Sequence, residues 1–270
     1  MTKLIDMLTD LNDYSIGIED VLKEHFDEEN IVYWMAFQIL MGNVDTQNRN
    51  VYLYSPLNSD IWYFIAWDND GCLMRPEYEL RNFSDQNSWE KGISNYWGNI
   101  LFQRCLKSRS FREKLNDAIL DLREYLNKDM LTSKIESYKN VLKPYLYLMP
   151  DAEYEPLTSE QYDQIAASLP DEIEKNYQLY LESLETPMPF YIGVPTIDGD
   201  KLKFNWDVSY DLDAEDITYS VEVARDYLFH DVIYHNTTLT VPETEMDLGS
   251  RTVLCENKSN KYIWKNAGCI

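Results

Sequence analysis

Cysteine, histidine and positive charge are all scarce in this chain of 270 residues. Its four cysteines lie at wide spacings and include no C-x-x-C pair, so neither a zinc ribbon nor a dense disulfide framework is expected. The three histidines, His25, His230 and His235, form no H-E-x-x-H motif and no recognisable Ser/His/Asp set. These absences argue against zinc hydrolases and triad hydrolases as the class of protein.

Basic residues are outnumbered by acidic ones, with 24 Lys and Arg against 47 Asp and Glu and a formal net charge of −23. A surface of this charge repels nucleic acid and anionic lipid and attracts divalent cations, although solubility alone also accounts for it. No apolar run reaches the roughly 18–20 residues that span a bilayer, so no membrane span is expected. Residues 1–6 do not form a secretory signal, so any export signal is expected to lie outside this chain.

The length and a change of pattern near residue 187 predict two domains. Residues 1–186 are expected to be mainly helical with one small β-hairpin, and residues 187–270 to form an all-β sandwich, which makes the fold class α+β. Apolar residues alternate in Leu202–Trp206 and again in Tyr219–Val223, which is similar to a fibronectin type III or immunoglobulin-like module. Residues 251–270 hold four Lys or Arg and one Glu, and predict either two poor closing strands, at 252–255 and 262–264, or an atypical tail.

Several helices are predicted from their ends and their apolar faces. The acidic residues at 27–29 suit a helix start, and the apolar run Ile31–Met41 predicts a buried helix that Gly42 ends. Ser110 with Glu113 predicts a capping box at the start of a later helix. Further helices are expected over residues 133–148 and 158–184, the second in one or two pieces with Pro170 as the expected break.

A β-hairpin is predicted in the middle of the first domain. Val51–Tyr54 and Ile61–Trp67 are rich in aromatic and β-branched residues, and a turn sequence lies between them. Asn50 precedes the first strand and Asp68 follows the second. Because a hairpin returns the chain to where it began, we expect these two side chains to lie a few ångströms apart at its open end.

The polar residues around this hairpin predict phosphate chemistry. Asp45 and Asn50 have the D-x-x-x-x-N spacing of a kinase catalytic loop, in which the Asp receives the proton of the substrate hydroxyl and the Asn holds a metal ion. A second Asp then holds the metal that bridges the phosphates, and Asp68 lies 23 residues after Asp45. Their oxygens suit Mg²⁺ or Mn²⁺. The spacing alone is a weak signal, because Asp and Asn also favour turns and could simply shape one here.

The order of buried helix, loop, hairpin and acidic exit resembles the spore coat protein H (CotH) kinase-like family over about residues 20–150. The residues that carry the likeness are Gly42–Asp45, Asn50 with Tyr52–Tyr54, Trp62–Asp70 and Leu101–Phe111. The aromatic strand that ends in Trp-Asp-x-Asp is the most specific of these segments.

The resemblance implies an atypical protein kinase that uses ATP and Mg²⁺ or Mn²⁺ to phosphorylate Ser or Thr hydroxyls of a surface or coat protein. It implies that Asp45 is the catalytic residue, that Asn50 and Asp68 bind the nucleotide and metal, and that Asp70 is a further metal ligand. It also implies an extracellular, cell-surface or spore-coat location for the full-length protein.

Two departures from kinases stand beside this likeness. No His-Arg pair precedes Asp45 and no Asp-Phe-Gly occurs at Asp68. Only 44 residues precede Asp45, with no Gly-rich loop, and the lysines among them, Lys3 and Lys23, are predicted to lie on helix surfaces. We therefore expect a kinase C-lobe without its N-lobe. The alternative is a non-catalytic surface or coat protein that retains the kinase scaffold for binding.

Overall fold

The computed structural model of the protein describes residues 2–47, 49–73, 91–226, 228–248 and 263–267. Helices and small antiparallel sheets are both present, so the predicted α+β class is confirmed. The chain divides into two compact units, Met1–Ser183 and Leu184–Ile270. Within the described residues, no helix is both long enough and apolar enough to cross a membrane.

The first unit is mainly helical and carries one two-stranded antiparallel hairpin. Its helices are α1 Thr2–Asn12, α2 Ile18–His25, α3 Glu28–Leu40, α4 Ile100–Lys107, α5 Arg109–Tyr125, α6 Lys128–Leu146 and α7 Ser159–Leu184. Its strands are β1 Tyr52–Tyr54 and β2 Tyr63–Ile65.

Helix α3 is the buried helix that the apolar run predicted. The Asp27 side chain caps its first turn by accepting a hydrogen bond from the backbone N–H of Asn30 at 2.9 Å. Most of its residues are buried, and it packs against α5 and β2. The helix ends because Gly42 adopts a left-handed φ of 62°, which glycine reaches without the clash that a Cβ would bring. Gly42 thereby turns the chain directly into the segment that contains Asp45.

Three details of the sequence prediction are wrong. Helix α5 is capped by the Ser108 hydroxyl, which accepts from the N–H of Phe111, rather than by Ser110, because Ser110 already lies inside the first helical turn. Pro170 does not break α7, because the helix is bonded to neighbouring helices both before and after this residue. Lys3 is half-buried and not a surface residue, because its ammonium group donates to the loop of the hairpin, to Ser55 Oγ and to two backbone carbonyls.

The second unit contains two three-stranded antiparallel sheets, ordered β3-β4-β7 and β6-β5-β8. The strands are β3 Thr196–Asp198, β4 Lys201–Asn205, β5 Tyr219–Ala224, β6 Val232–Leu239, β7 Glu243–Asp247 and β8 Ile263–Ala267. Residues from both sheets share one core, in which the rings of Trp206 and Tyr219 meet edge to face with centroids 5.4 Å apart. β8 pairs with β5 near the predicted second closing strand, whereas the predicted strand at 252–255 lies outside the described residues. The assignment to a fibronectin type III or immunoglobulin-like module stays a prediction.

Candidate metal and phosphate site

The hairpin places the start of β1 next to the end of β2. Tyr52 pairs with Ile65 and Tyr54 with Tyr63, so the open end of the hairpin lies beside Tyr52 and Ile65. At that end the Asn50 side chain is near enough to the Asp68 carboxylate to lower its pKa by hydrogen bonding. The structure therefore places Asn50 and Asp68 close to each other. Their roles in chemistry remain a prediction.

Asp45 lies in a short 3-10 helix, Val44–Gln47, that follows α3 and Gly42. The side-chain oxygen of Asn43 accepts from the backbone N–H of Asp45 at 3.3 Å. The Thr46 hydroxyl donates to the Asn43 carbonyl and lies 3.1 Å from the hydroxyl oxygen of Tyr96. Asn43, Thr46 and Tyr96 are all buried, so hydrogen bonds to buried side chains hold the turn in place. The Asp45 side chain is exposed to solvent.

A second short 3-10 helix, Asn69–Gly71, carries the acidic exit of the hairpin. It packs closely on the Asp45 turn, because a Cβ built on the buried Gly71 would lie 3.2 Å from Asn43 Oδ1 and 3.6 Å from Asp45 Oδ2. The backbone N–H of Leu73 also donates to the carbonyl of Met41 at 2.7 Å. The two turns therefore form one cluster in which Asp45, Asp68 and Asp70 lie near one another.

Mutual repulsion of the carboxylates is visible in their electrostatics. The negative charge of Asp70, then partial desolvation, then a hydrogen bond with the Asp70 side chain and last the charge of Asp45 raise the pKa of Asp68 above its ordinary value of 3.8. The amide of Asn50 acts in the opposite direction, because it stabilises the ionised carboxylate. Negative charges therefore lie close together in the described part of the site, and a bound cation would reduce their repulsion.

Unusual backbone conformations gather at this site. Among the described residues, six non-glycine residues have a positive φ, and three of these, Asn50, Asp68 and Leu73, belong to the site. Asn and Asp tolerate the left-handed region better than other L-residues, whereas leucine rarely adopts it. Such strain persists only where the surroundings impose it, and it is frequent at functional sites.

An exposed aromatic pair borders the carboxylates. The rings of Tyr52 and Trp67 lie 5.0 Å apart between centroids, and about half of each side chain is exposed to solvent. Trp67 directly precedes Asp68, and Tyr52 follows Asn50 by two residues. The exposed aromatic surface therefore adjoins the residues of the candidate site in the chain.

The donor set suits a hard divalent cation bound partly by the protein. Carboxylate and amide oxygens are the ligands that Mg²⁺ and Mn²⁺ accept, and Mg²⁺ sites commonly use one or two carboxylates, with substrate phosphates and water completing the shell. Within the described residues, no three His, Cys, Asp or Glu side chains are arranged closely enough to hold a metal ion by themselves. That Asp68, Asn50 and Asp70 hold such a cation stays a prediction.

Sequence reasoning missed the side chains beneath the carboxylates, namely Gln38, Asn43 and Asn69. Gln38 is fully buried, and its amide donates to Asn69 Oδ1 at 3.1 Å. The sequence contains one signal of this cluster. Gln38 is the single amide side chain in the segment Ile31–Met41, whose other residues are all aliphatic, aromatic or Met. A polar residue in a fully buried helix needs a hydrogen-bond partner, and that partner lies in the site.

Comparison with known proteins gives one family. The family model described as CotH kinase protein matches residues 1–180. No curated protein matches the sequence significantly. The matched range contains the Asp45 turn, the hairpin and the Asp68–Gly71 turn.

Proposed function

Because the chain belongs to the CotH kinase protein family, we propose that its first unit binds metal–ATP at the Asp45–Asp68 cluster and takes part in phosphoryl transfer to Ser or Thr hydroxyls. The observation that carries this proposal is the packing of the Asp68–Gly71 turn on the Asp45 turn, with Asn50 close to Asp68. A kinase requires such a grouping of one carboxylate for the hydroxyl and further oxygens for the metal.

In the proposed reaction Asp45 orients the substrate hydroxyl and accepts its proton as the oxygen attacks the γ-phosphorus of ATP. Its position is fixed by the buried Asn43 and Thr46, which suits a group that must be held in place for transfer. A divalent cation, when bound, neutralises charge on the phosphates. Asn50 and Asp68 orient the phosphate end of the nucleotide. The bond between the γ-phosphorus and the bridging oxygen of the β-phosphate breaks, and ADP leaves.

The exposed pair Tyr52 and Trp67 supports a nucleotide as the ligand, because a purine base stacks on aromatic rings and this pair lies beside the carboxylates. We expect Trp67→Ala to weaken ATP binding by about tenfold, since a base–aromatic stack contributes roughly 1–3 kcal/mol. Tyr54→Ala is the matched control. Tyr54 has a similar exposure but lies two residue pairs farther than Tyr52 from the open end of the hairpin.

The net charge of −23 favours a basic segment as the protein substrate. For the second unit we propose an accessory β-sandwich that positions the first unit at a surface or coat, supported by its two sheets around one core. An extracellular, cell-surface or spore-coat location belongs to the same proposal.

Transfer of labelled γ-phosphate to a basic serine-containing peptide tests the proposed function. The full chain is incubated with Mn²⁺ and ATP, and Asp45→Asn is compared with Asp121→Asn, an exposed carboxylate on α5. The proposal predicts transfer by the wild type and by Asp121→Asn but not by Asp45→Asn. Equal transfer by all three proteins, or binding of metal–ATP with no transfer at all, would contradict catalysis. The second result would favour a non-catalytic binding protein on the kinase scaffold.

A further inference from the structure

Three side-chain amides form a cluster beneath the carboxylates of the candidate site. The oxygen Oδ1 of Asn69 accepts from Gln38 Nε2 at 3.1 Å and from Asn43 Nδ2 at 3.3 Å. Gln38 is fully buried and Asn43 is 2% exposed. Buried amides are costly unless they are hydrogen-bonded, so their presence in this apolar part of the molecule calls for a role.

The cluster joins three separate parts of the chain. Gln38 lies in the last turn of α3, Asn43 precedes the Asp45 turn and bonds to its backbone, and Asn69 lies between Asp68 and Asp70. A single oxygen atom therefore links the segment that carries Asp45 to the segment that carries the other two carboxylates.

We propose that Asn69 is a positioning residue whose side-chain oxygen, by accepting from Gln38 and Asn43, holds the Asp68–Gly71 turn against the Asp45 turn. This inference rests on the proposed function of the site, since the distance between these carboxylates is what a metal–nucleotide ligand would require. None of the three amides touches the substrate in this account, and they act only through the carboxylates.

The charge of the site explains why a neutral amide is suited to this position. The negative charges of Asp45 and Asp68 lie on different turns and close enough to interact, so their repulsion opposes the packing of the two turns. An amide oxygen can accept two N–H groups without adding a further charge. A hydrophobic residue at position 69 would accept neither, and it would leave the donors of Gln38 and Asn43 buried without a partner.

The test uses two variants at position 69 that differ in whether an acceptor remains. Asn69→Leu removes the acceptor at similar size, whereas Asn69→Gln keeps a neutral amide oxygen that can accept from both amides. Gln38→Met removes one donor from the other side, and Asn58→Leu, on the exposed hairpin loop, is the matched control. All variants are made in the full chain of 270 residues.

Backbone amide hydrogen exchange, measured by NMR without metal, reports on the position of the turns. Asn69→Leu is expected to accelerate exchange of the Asp45 and Leu73 amides by about tenfold, because both amides bond within the joined turns. Asn69→Gln and Asn58→Leu are expected to stay within about threefold of the wild type, and Gln38→Met to lie between. Exchange in α5 reports whether each variant is folded.

Mn²⁺ affinity, measured from the electron paramagnetic resonance signal of free Mn²⁺, reports on the function of the site. We expect about a tenfold loss in Asn69→Leu and a smaller loss in Asn69→Gln, which keeps the neutral acceptor. Unchanged exchange at Asp45 and Leu73 in Asn69→Leu would overturn the inference, and so would equal effects of the Leu and Gln variants. If the wild type binds no Mn²⁺, the proposed function fails, and the exchange measurement alone still decides whether Asn69 holds the two turns together.

Discussion

Replacing Gly42 by alanine should destabilise the first unit strongly, because this glycine makes the turn between α3 and the Asp45 segment. Its φ of 62° lies in the left-handed region, which costs an L-residue about 1–2 kcal/mol. The added Cβ would also lie only 2.7 Å from Asn176 Nδ2, an atom that donates to the carbonyl of Leu40 at 2.9 Å. Displacing that amide removes a hydrogen bond of about 1 kcal/mol.

The free energy of unfolding of the first unit should therefore fall by about 2–3 kcal/mol in Gly42→Ala. For a unit of this size, the melting temperature should fall by about 5–10 °C. Urea unfolding followed by far-UV circular dichroism measures the change. Gly98→Ala is the matched control, because a Cβ at Gly98 would meet no atom within 4 Å and its φ is not in the left-handed region.

A double variant separates the two causes. Asn176→Ala makes room for the Cβ at position 42, so Gly42→Ala should cost less in that background than in the wild type. The reasoning is refuted if Gly42→Ala and Gly98→Ala unfold within about 0.5 kcal/mol of each other, since that difference is within the ordinary range of surface substitutions.

Two further predictions concern buried and repelling charges. Arg104→Met should lower the free energy of unfolding by about 3 kcal/mol in urea titrations, because the buried guanidinium donates to the carbonyls of Leu11 and Ile16, while Arg104→Lys should lose less. Without metal, Asp68→Asn should raise the melting temperature more near pH 7 than near pH 4. The charge of Asp70 raises the folded-state pKa of Asp68 above its ordinary value of 3.8. The contribution of Asp68 to the free energy of unfolding is therefore complete below pH 3.8 and is lost as the pH rises through the folded-state pKa. An equal difference at both pH values would contradict the repulsion.

The elements that the sequence predicted well are those with one dominant local signal. The apolar run Ile31–Met41 gave helix α3, and Gly42 marked its end. The strands around the turn at 55–60 gave the hairpin, and hairpin geometry alone placed Asn50 beside Asp68. These inferences succeeded because they depend on periodicity and chain reversal, which neighbouring residues determine.

The elements that it predicted poorly depend on distant contacts. Ser108 and Ser110 are equivalent as caps by local sequence, and the choice between them follows from where α4 ends. Pro170 ordinarily interrupts a helix, but α7 continues through it with anchors to α3 and α6 on its two sides. Lys3 finds its carbonyl partners more than 50 residues away.

The candidate site shows the same division. Its carboxylates were found from spacing and from the family resemblance, whereas the amide cluster of Gln38, Asn43 and Asn69 was not. Hydrogen bonds among residues 26 or more positions apart leave no periodic pattern in a single sequence. Only the polar Gln38 within a buried helix hinted at them.

Binding of Mn²⁺–ATP to the full chain and to Asp68→Asn tests the central claim most directly. Isothermal titration calorimetry measures both, with Asp121→Asn as an exposed carboxylate control. The account predicts one binding site in the wild type and the control, weakened at least about tenfold in Asp68→Asn because the metal loses a carboxylate that lies close to Asn50. Absence of binding to the wild type, or equal affinity in all three proteins, would contradict a metal–nucleotide site at this cluster.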